Sequence, residues 1–432
     1  MPGTIPRKQS LRKRVACVAA GVGMVLVSAC GDAGPAADAL AAAAPTTASA
    51  PPRPSQLSLA VTSGRTACEA ATGRILQVGP GAPYAAPSAA AAAAQAGDVV
   101  KIATGDYRGD VATWRAANLT ICGVGGRARL FADGKSSQGK AIWVVAGANA
   151  VIEGIEFHGV TVPDQNGAGI RAEGGNLTVR NCGFYDSDEG ILSGRGGDIV
   201  IDRSEFARNG HGDGQSHNLY IGEANRLIVT ASFFHNAKIG HNFKSRARET
   251  HIENSYFMDG TTGTASYQVD FPNGGVVRMR GNLFQKGPRA DNAAAIAFGQ
   301  EGLKWPTNTL EMVHNTVVST YSGGAFIVAH GATQSVHLVA NLFAGTGSPR
   351  LLSGAVPSGR VQQQHTVVDA AINLPGATNV TAPNFWPDAS LRARLGLSAA
   401  ADPTYVRDAP RPFATRVLEP GARLVGALQS SP

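Results

Sequence analysis

The chain has 432 residues, of which 53 are glycine, and only 16% are charged. Its formal net charge is +7, but residues 1–29 hold five of the 38 basic residues and none of the 31 acidic ones. The rest of the chain is therefore close to neutral, which excludes the strongly basic surface expected of a nucleic-acid-binding protein.

The first predicted element, residues 1–29, is an export signal. A basic stretch precedes the apolar run VACVAAGVGMVLVSA, which is shorter than the roughly 20 residues of a membrane span. The VSAC at its end resembles a bacterial lipobox, which implies that Cys30 carries a lipid and anchors the exported protein in the periplasm, at the outer membrane or at the cell surface. The alternative is an ordinary signal peptide in which Cys30 has no such role. Residues 30–75 are rich in Ala, Pro and Thr, and we predict a flexible tether.

Three further cysteines follow, at Cys68, Cys122 and Cys182. An odd number cannot all pair, and no Cys-x-x-Cys spacing indicates a metal site. Export would permit a disulfide. Because Cys122 and Cys182 fall in strand-like segments, we instead expect the cysteines to serve as small, buried apolar residues.

A short alanine-rich helix is predicted over residues 88–97, and a β-type repeat follows it. Each copy alternates apolar and polar residues, then places Ser, Asn or Cys two positions before a final aromatic or aliphatic residue. The copies are LTVRNCGF, IVIDRSEF, LIVTASFF, THIENSYF, VRMRGNLF, LEMVHNTV and VHLVANLF, spaced 22–33 residues apart. A second series of short strands lies between them. This spacing predicts stacked solenoid coils, in which the Ser or Asn can form a side-chain ladder inside a turn.

The segment AAAAQAGDVVKIATGDYRGDV resembles the start of bacterial proteins of the pectate-lyase superfamily. The resemblance implies an all-β fold, a right-handed parallel β-helix over residues 76–350. A short N-terminal helix would cap it, and residues 351–432 would form a C-terminal cap or tail that packs on the last coils. This fold hosts lyases, hydrolases, epimerases and adhesins, so it does not decide the function.

Period-two alternation sorts the second strand series into inward and outward columns. The inward residues are Ile191, Leu219, Phe243, Val269 and Ile296. The outward column is Leu192, Tyr220, Lys244, Asp270 and Ala297, and the positions one step earlier, also read as outward, are Gly190, Asn218, Asn242, Gln268 and Ala295. Because coils lie about 4.8 Å apart, polar side chains of three central coils become neighbours. Arg246 follows Lys244 by two residues, His217 and His241 precede the strands, and the loop before them adds His211 and Asp213.

This set suits β-elimination in a uronic-acid polysaccharide, which requires neutralising a carboxylate, removing a proton at C5 and protonating the leaving oxygen. It resembles the alginate and chondroitin-type β-helix lyases, in which a Lys is the base and an Arg the acid. The resemblance implies Lys244 as base and Arg246 as acid, with His241, His217 or Tyr220 as alternative catalytic groups. The predicted substrate-binding residues are Asn218, Asn242, Gln268, Asp270, Asp213 and His211.

Other functions remain open at this stage. A glycoside hydrolase would use Asp213 and Asp270 as its two carboxylates, with Asp188 and Glu189 a coil further off. A C5-epimerase would share the first proton abstraction, and a polysaccharide-binding or adhesive lipoprotein would need no catalysis. A purely structural interpretation makes Lys244 and Asp270 a surface ion pair, the asparagines a stacking ladder and the histidines partners of backbone groups. Calcium is open as a cofactor. The expected partner is an acidic polysaccharide, bound by a monomer.

Overall fold

The computed structural model describes residues 66–345 and 350–381, together with residues 383, 385 and 427. The predicted signal, Cys30 and most of the tether lie outside these residues. Within the described part of the chain, no helix has both the length and the apolar character needed to cross a membrane.

The described residues contain two α-helices: α1, Ala67–Ala70, precedes the first strand, and α2, Pro87–Ala93, follows it. The predicted helix is confirmed, although it begins one residue earlier and ends at Ala93. There the chain becomes extended, and the carboxylate of Asp98 accepts the N–H of Gln95 at 2.7 Å. Ala90 of α2 is fully buried and belongs to the main core, so this helix covers the first coil.

The described strands pair in parallel throughout. They are β1 Ile75–Val78, β2 Val99–Arg108, β3 Ala112–Trp114, β4 Thr120–Phe131, β5 Ala141–Val145, β6 Ala150–Glu153, β7 Ile155–His158, β8 Ala168–Ala172, β9 Leu177–Arg180, β10 Gly183–Tyr185, β11 Glu189–Ser193, β12 Asp198–Asp202, β13 Glu205–Ala207, β14 Leu219–Ile221, β15 Arg226–Thr230, β16 Phe233–His235, β17 Lys244–Ser245, β18 Glu249–Glu253, β19 Tyr256–Met258, β20 Val269–Phe271, β21 Val276–Arg280, β22 Leu283–Lys286, β23 Ala294–Phe298, β24 Thr309–Val313, β25 Thr316–Ser319, β26 Ala325–Ala329, β27 Ser335–Val339, β28 Leu342–Gly345, β29 Arg350–Ser353, β30 Val361–Gln364 and β31 Val367–Asp369. Short 3-10 helices occupy Ser358–Arg360 and Pro375–Thr378.

The strands form two sheets that wind together as a parallel β-helix. Among the described residues, a ten-stranded sheet joins β3, β5, β8, β11, β14, β17, β20, β23, β26 and β29 in that order. The other strands form a 21-stranded sheet of two ladders, which the long strands β2 and β4 connect. Each coil therefore adds one strand to the ten-stranded sheet and two to the other.

The corner between the two strands of the 21-stranded sheet explains the sequence repeat. A residue in the left-handed region turns the chain there, as at Asn254 (φ 50°) and His314 (φ 51°). The next residue is the Ser or Asn of the repeat, whose side-chain oxygen accepts a backbone N–H of the preceding coil. Ser255 N–H donates to Asn282 Oδ1 at 2.9 Å, and Asn282 N–H donates to Asn315 Oδ1 at 3.0 Å. The predicted side-chain ladder is confirmed.

The final aromatic residue of the repeat fills the centre of the coils. Successive rings stack face to face, with centroids 4.5–5.0 Å apart. The stack consists of Phe157, Phe184, Phe206, Phe234, Phe257 and Phe284. Each ring is fully buried, so the core is continuous from coil to coil.

One pair of cysteines differs from the prediction. Cys182 is free and buried, as expected, but Cys122 forms a disulfide with Cys68, with Cα atoms 6.0 Å apart. Cys122 lies on β4 between inward residues, so its side chain points out of the coil, where α1 packs against it. Helix α1 was expected to be part of the tether, but this contact joins it to the β-helix.

The β-helix continues beyond the predicted boundary at residue 350, because β30 and β31 still pair with β27 and β28. The described residues after Asp369 pack along the side of the coils and form a second apolar cluster. Its members include Ile372, Leu374, Ala377, Phe385 and Ala427 from the tail and Phe233, Tyr256, Met258, Leu283, Val318 and Leu342 from the 21-stranded sheet.

Candidate active site

The predicted outward column lies on the ten-stranded sheet. Leu192 pairs with Tyr220, Tyr220 with Lys244, Lys244 with Asp270 and Asp270 with Ala297. Period-two alternation placed these residues correctly because each lies inside a regular strand.

The three amides predicted one step earlier do not point outward. Asn218, Asn242 and Gln268 are fully buried. Asn218 Nδ2 donates to Asn242 Oδ1 at 2.8 Å, and Asn242 Nδ2 donates to Gln268 Oε1 at 2.8 Å. Each amide stands just before its strand begins, at a corner where alternation does not hold. The prediction of outward, substrate-binding amides is therefore corrected, and the stacking ladder is what the structure contains.

The two histidines lie below this surface and stack on each other, with ring centroids 4.7 Å apart. His217 Nδ1 accepts the N–H of His241 at 3.0 Å, and His241 Nδ1 accepts the N–H of Tyr267 at 3.2 Å. Each neutral ring therefore carries its proton on Nε2. Burial and the nearby charge of Lys244 hold the pKa of both rings well below the usual value. Neither is suited to be a base, and His241 Nε2 lies 3.3 Å from Asp270 Oδ2.

Lys244 and Arg246 form the cationic part of the site, and a carboxylate bridges them. Glu301 Oε1 lies 2.9 Å from Lys244 Nζ, and Glu301 Oε2 lies 2.6 Å from Arg246 Nη2. Arg246 also donates through Nε to the hydroxyl of Tyr220 at 2.8 Å and through Nη1 to Asn273 Oδ1 at 2.6 Å. The guanidinium is thus fixed in one orientation, beside an amine.

Two carboxyl groups flank Lys244 and differ in protonation. Burial raises the pKa of Asp270 to about 7, although the positive charge of Lys244 opposes the shift. Its Oδ2 lies 3.7 Å from Lys244 Nζ, and its buried Oδ1 has no hydrogen-bond partner. Burial also works to raise the pKa of Glu301, but hydrogen bonds from Lys244 and Arg246 outweigh it and lower the pKa. One group can therefore hold a proton at neutral pH, while the other is ionised.

His211 and Asp213 stand at the edge of the site and organise their own loop. Asp213 Oδ1 accepts the backbone N–H groups of Gln215 and Ser216 at 2.9 and 3.2 Å. His211 Nδ1 lies 3.3 Å from Asp188 Oδ1, and Asp188 in turn accepts backbone N–H groups of a neighbouring loop. Neither residue reaches the cations of the site through any described hydrogen bond or ion pair.

Sequence reasoning missed Glu301 and gave Glu189 only a distant role. Glu301 belongs to the longest coil, where the repeat copies ending at Phe284 and Val317 are 33 residues apart. Such an insertion forms a surface loop, and functional residues concentrate in such loops. The long spacing could therefore have indicated a functional residue in this coil. Glu189 is fully buried with Oε2 lacking a hydrogen-bond partner, and burial raises its pKa well above the usual value.

A metal site was left open by the sequence. Over the described ranges, no three His, Cys, Asp or Glu side chains are placed to hold a metal ion together. Asp270 and Glu301 instead face the nitrogen of Lys244. The carboxylates beside Lys244 are therefore engaged by a cation of the protein itself.

Comparison with known proteins identifies the fold. A family described as "Right handed beta helix region" matches residues 135–343. Pectate lyase Pel9A superposes with a TM-score of 0.53 and 14% sequence identity, covering 84% of this chain and 97% of its own. An alginate lyase from Paenibacillus sp. str. FPU-7 has a TM-score of 0.41 and 18% identity, covering 68% of this chain and 99% of its own. No curated protein matches the sequence. The predicted all-β fold, a right-handed parallel β-helix, is confirmed.

Proposed function

We propose that this β-helix is a polysaccharide lyase that cleaves a uronic-acid polymer by β-elimination. The observation that carries the proposal is the carboxylate of Glu301, held between Lys244 and Arg246 at 2.9 and 2.6 Å. A uronate presents the same group, so the two cations have the spacing that a uronate substrate requires. The fold is shared with pectate lyase Pel9A, which supports a polysaccharide substrate.

The proposed chemistry begins when a uronate carboxylate displaces Glu301 from Arg246. The guanidinium neutralises this carboxylate and stabilises the negative charge that develops when C5 loses its proton. Lys244, released from Glu301, then stands beside a guanidinium, an environment in which a lysine can act as a base. It takes the C5 proton, the double bond forms between C4 and C5, and the bond from C4 to the leaving oxygen breaks.

Tyr220 is the proposed acid for the leaving oxygen. Its hydroxyl lies 2.8 Å from Arg246 Nε, and its ring centroid lies 5.7 Å from Lys244 Nζ. All three nitrogens of Arg246 already have partners in the protein. We therefore assign Arg246 to carboxylate binding and give Tyr220 the proton-donating role that the sequence resemblance implied for an arginine.

A glycoside hydrolase is the second candidate, and the two carboxyl groups beside Lys244 favour it. Asp270 has a pKa raised to about 7, while the pKa of Glu301 is lowered. A protonated acid beside an ionised carboxylate is the pair that glycoside hydrolysis uses.

One experiment separates these functions. The full chain is incubated with pectate, alginate and chondroitin, and both ultraviolet absorbance and new reducing ends are followed. A lyase produces an unsaturated, absorbing sugar with each new reducing end. Reducing ends without absorbance would establish the hydrolase, and binding with neither signal would establish a polysaccharide-binding protein.

We also propose that the protein is exported and held at a membrane by a lipid on Cys30. The basic stretch, the apolar run and the VSAC sequence support this proposal. A tether of Ala, Pro and Thr would then separate the β-helix from the membrane surface, where an extracellular polysaccharide is accessible.

A further inference from the structure

Arg171 extends the outward column away from Asp270. Arg171 pairs in register with Leu192. Leu192 pairs with Tyr220, and Tyr220 pairs with Lys244. Three coil spacings of about 4.8 Å separate Arg171 from Lys244, or about 14 Å along the sheet. Both cations therefore lie in one straight line on the same face.

The guanidinium of Arg171 has no close carboxylate. Within the described part of the chain it forms no ion pair, and its buried Nε lacks a hydrogen-bond partner. Two carboxyl groups act on it from further away. Glu173 is occupied by Lys140 Nζ at 2.7 Å, and burial raises the pKa of Glu189, which favours its neutral form. Since arginine stays charged in proteins, Arg171 brings to this end of the column a positive charge that has no carboxylate within ion-pair distance.

The surface between the two cations is apolar. Leu192 packs with Ala141, Val144 and Ala168, and Tyr220 lies against this cluster. Beyond Asp270 the column continues with Ala297 and Val328, which carry no charge. The cations are therefore all on one side of Asp270, separated by a surface that suits the C–H face of a sugar ring.

We propose that Arg171 binds the carboxylate of a second uronate, about three sugars from the uronate held at Arg246. A pyranose in an extended polymer advances the chain by about one coil spacing, so cations three coils apart match carboxylates three sugars apart. This inference rests on the proposed function and narrows it. The substrate would be a continuous run of uronates rather than a polymer in which uronates alternate with neutral or amino sugars.

The test measures binding, so that it does not depend on which bond is cleaved. The full chain carrying Y220F serves as the parent, because it lacks the proposed acid but keeps both cations, so that the ligands stay intact, and R171Q is added to it. The ligands are oligogalacturonates and oligomannuronates of two to six sugars, with cello-oligosaccharides as neutral controls, in calorimetric titrations. For the parent we expect affinity to rise about tenfold between three and five sugars, the effect of one added charged contact.

R171Q should remove this rise and leave the affinity for disaccharides unchanged, whereas R171K should retain part of it. R129Q, on the 21-stranded sheet where Arg129 pairs with Asp106 at 2.6 Å, is the matched control and should behave as the parent. The same rise with length in R171Q would overturn the second carboxylate site alone. If the parent binds no uronate oligomer, or binds cello-oligosaccharides equally well, the proposed function fails together with it.

Discussion

Lys244 is the residue on which the proposed chemistry depends most. Its replacement by alanine removes the proposed base and one partner of Glu301. We expect kcat to fall by about 10²- to 10⁴-fold, the range for loss of a general base, with the circular dichroism spectrum unchanged. Lys304→Ala is the control, because Lys304 is more exposed and pairs with Glu223. A Lys244→Ala variant with full activity would exclude the assignment.

Glu301→Gln distinguishes the two candidate reactions. In a lyase, Glu301 competes with the substrate for Lys244 and Arg246, so its removal should lower KM about two- to fivefold with kcat retained. In a hydrolase, Glu301 is the ionised catalytic carboxylate, and kcat should fall by about 10²-fold or more. Steady-state kinetics on the polymer that is cleaved gives both constants, and a rise in KM at constant kcat would contradict both.

Asp270 makes stability depend on pH. Its pKa is about 7 in the folded protein and near 3.8 in an unfolded chain. Between pH 4 and 7 the folded protein keeps a proton that the unfolded chain releases, so this contribution to stability falls as pH rises. Asp270→Asn removes this pH dependence. Between pH 4 and 7, the free energy of unfolding of the variant should rise relative to that of wild type, by up to about 4 kcal/mol at pH 7. Denaturant unfolding at pH 4, 5.5 and 7 measures the difference, and parallel pH curves would show that Asp270 titrates normally.

The residues that sequence predicted correctly are those inside regular strands. Tyr220, Lys244 and Asp270 follow from alternation and from the register of the repeat. Asn218 and Gln268 stand one residue before their strands, and Asn242 stands two residues before its strand. The chain turns there, and no period applies. Glu301 reaches the site from a loop whose path depends on tertiary contacts, such as the bond from Glu301 N–H to Pro272 O at 3.0 Å.

At the scale of one structural element, the corner ladder should contribute strongly to stability. Asn315 Oδ1 accepts the N–H of Asn282, and Asn315 Nδ2 donates to the carbonyl of Met279 at 2.9 Å. Asn315→Ala leaves both groups buried without these partners, so we expect a loss of about 2–4 kcal/mol in the free energy of unfolding.

Asn176→Ala provides the comparison at an exposed ladder. Asn176 accepts the N–H of Asp198 at 2.7 Å and donates to Asn149 at 2.9 Å, but near solvent. Because water can replace these bonds, Asn176→Ala should lower the free energy of unfolding by less than about 1 kcal/mol. Equal losses in the two variants, measured by denaturant unfolding, would mean that burial does not set the strength of the corner ladder.

The sequence also predicted the type of element better than the contacts between elements. The strands and helix α2 follow from local alternation and alanine content. The disulfide between Cys68 and Cys122 does not, because it depends on where α1 packs against β4 across 54 residues of chain. The continuation to β31 was missed because VQQQ and TVVD lack the apolar bulk of the earlier copies.

For the whole molecule, the lipid anchor is the prediction that determines where the β-helix works. Cys30 lies outside the described residues. In a bacterial host, Cys30→Ser should move the protein from the membrane fraction to the soluble fraction, because the lipid attachment needs the thiol. Fractionation followed by immunoblotting tests this. An equal distribution of wild type and variant would favour an ordinary signal peptide.

The overall architecture was predictable because the same sequence pattern recurs in every coil of a solenoid. The function was not, because one fold serves many chemistries and the polar groups that distinguish them occupy few coils. Here Arg171 lies on one coil, and Lys244 and Arg246 lie on another. Leu192 between them and Ala297 and Val328 beyond Asp270 are apolar.

The order in which the chain is made matches the order in which the coils stack. Each strand pairs with neighbours one coil away in sequence, so a coil can form soon after its residues leave the ribosome or a membrane pore. The disulfide joins α1 to β4, and both of its cysteines have emerged when only the first coils exist. This bond can therefore close early and give the growing β-helix a fixed first edge on which every later coil is templated.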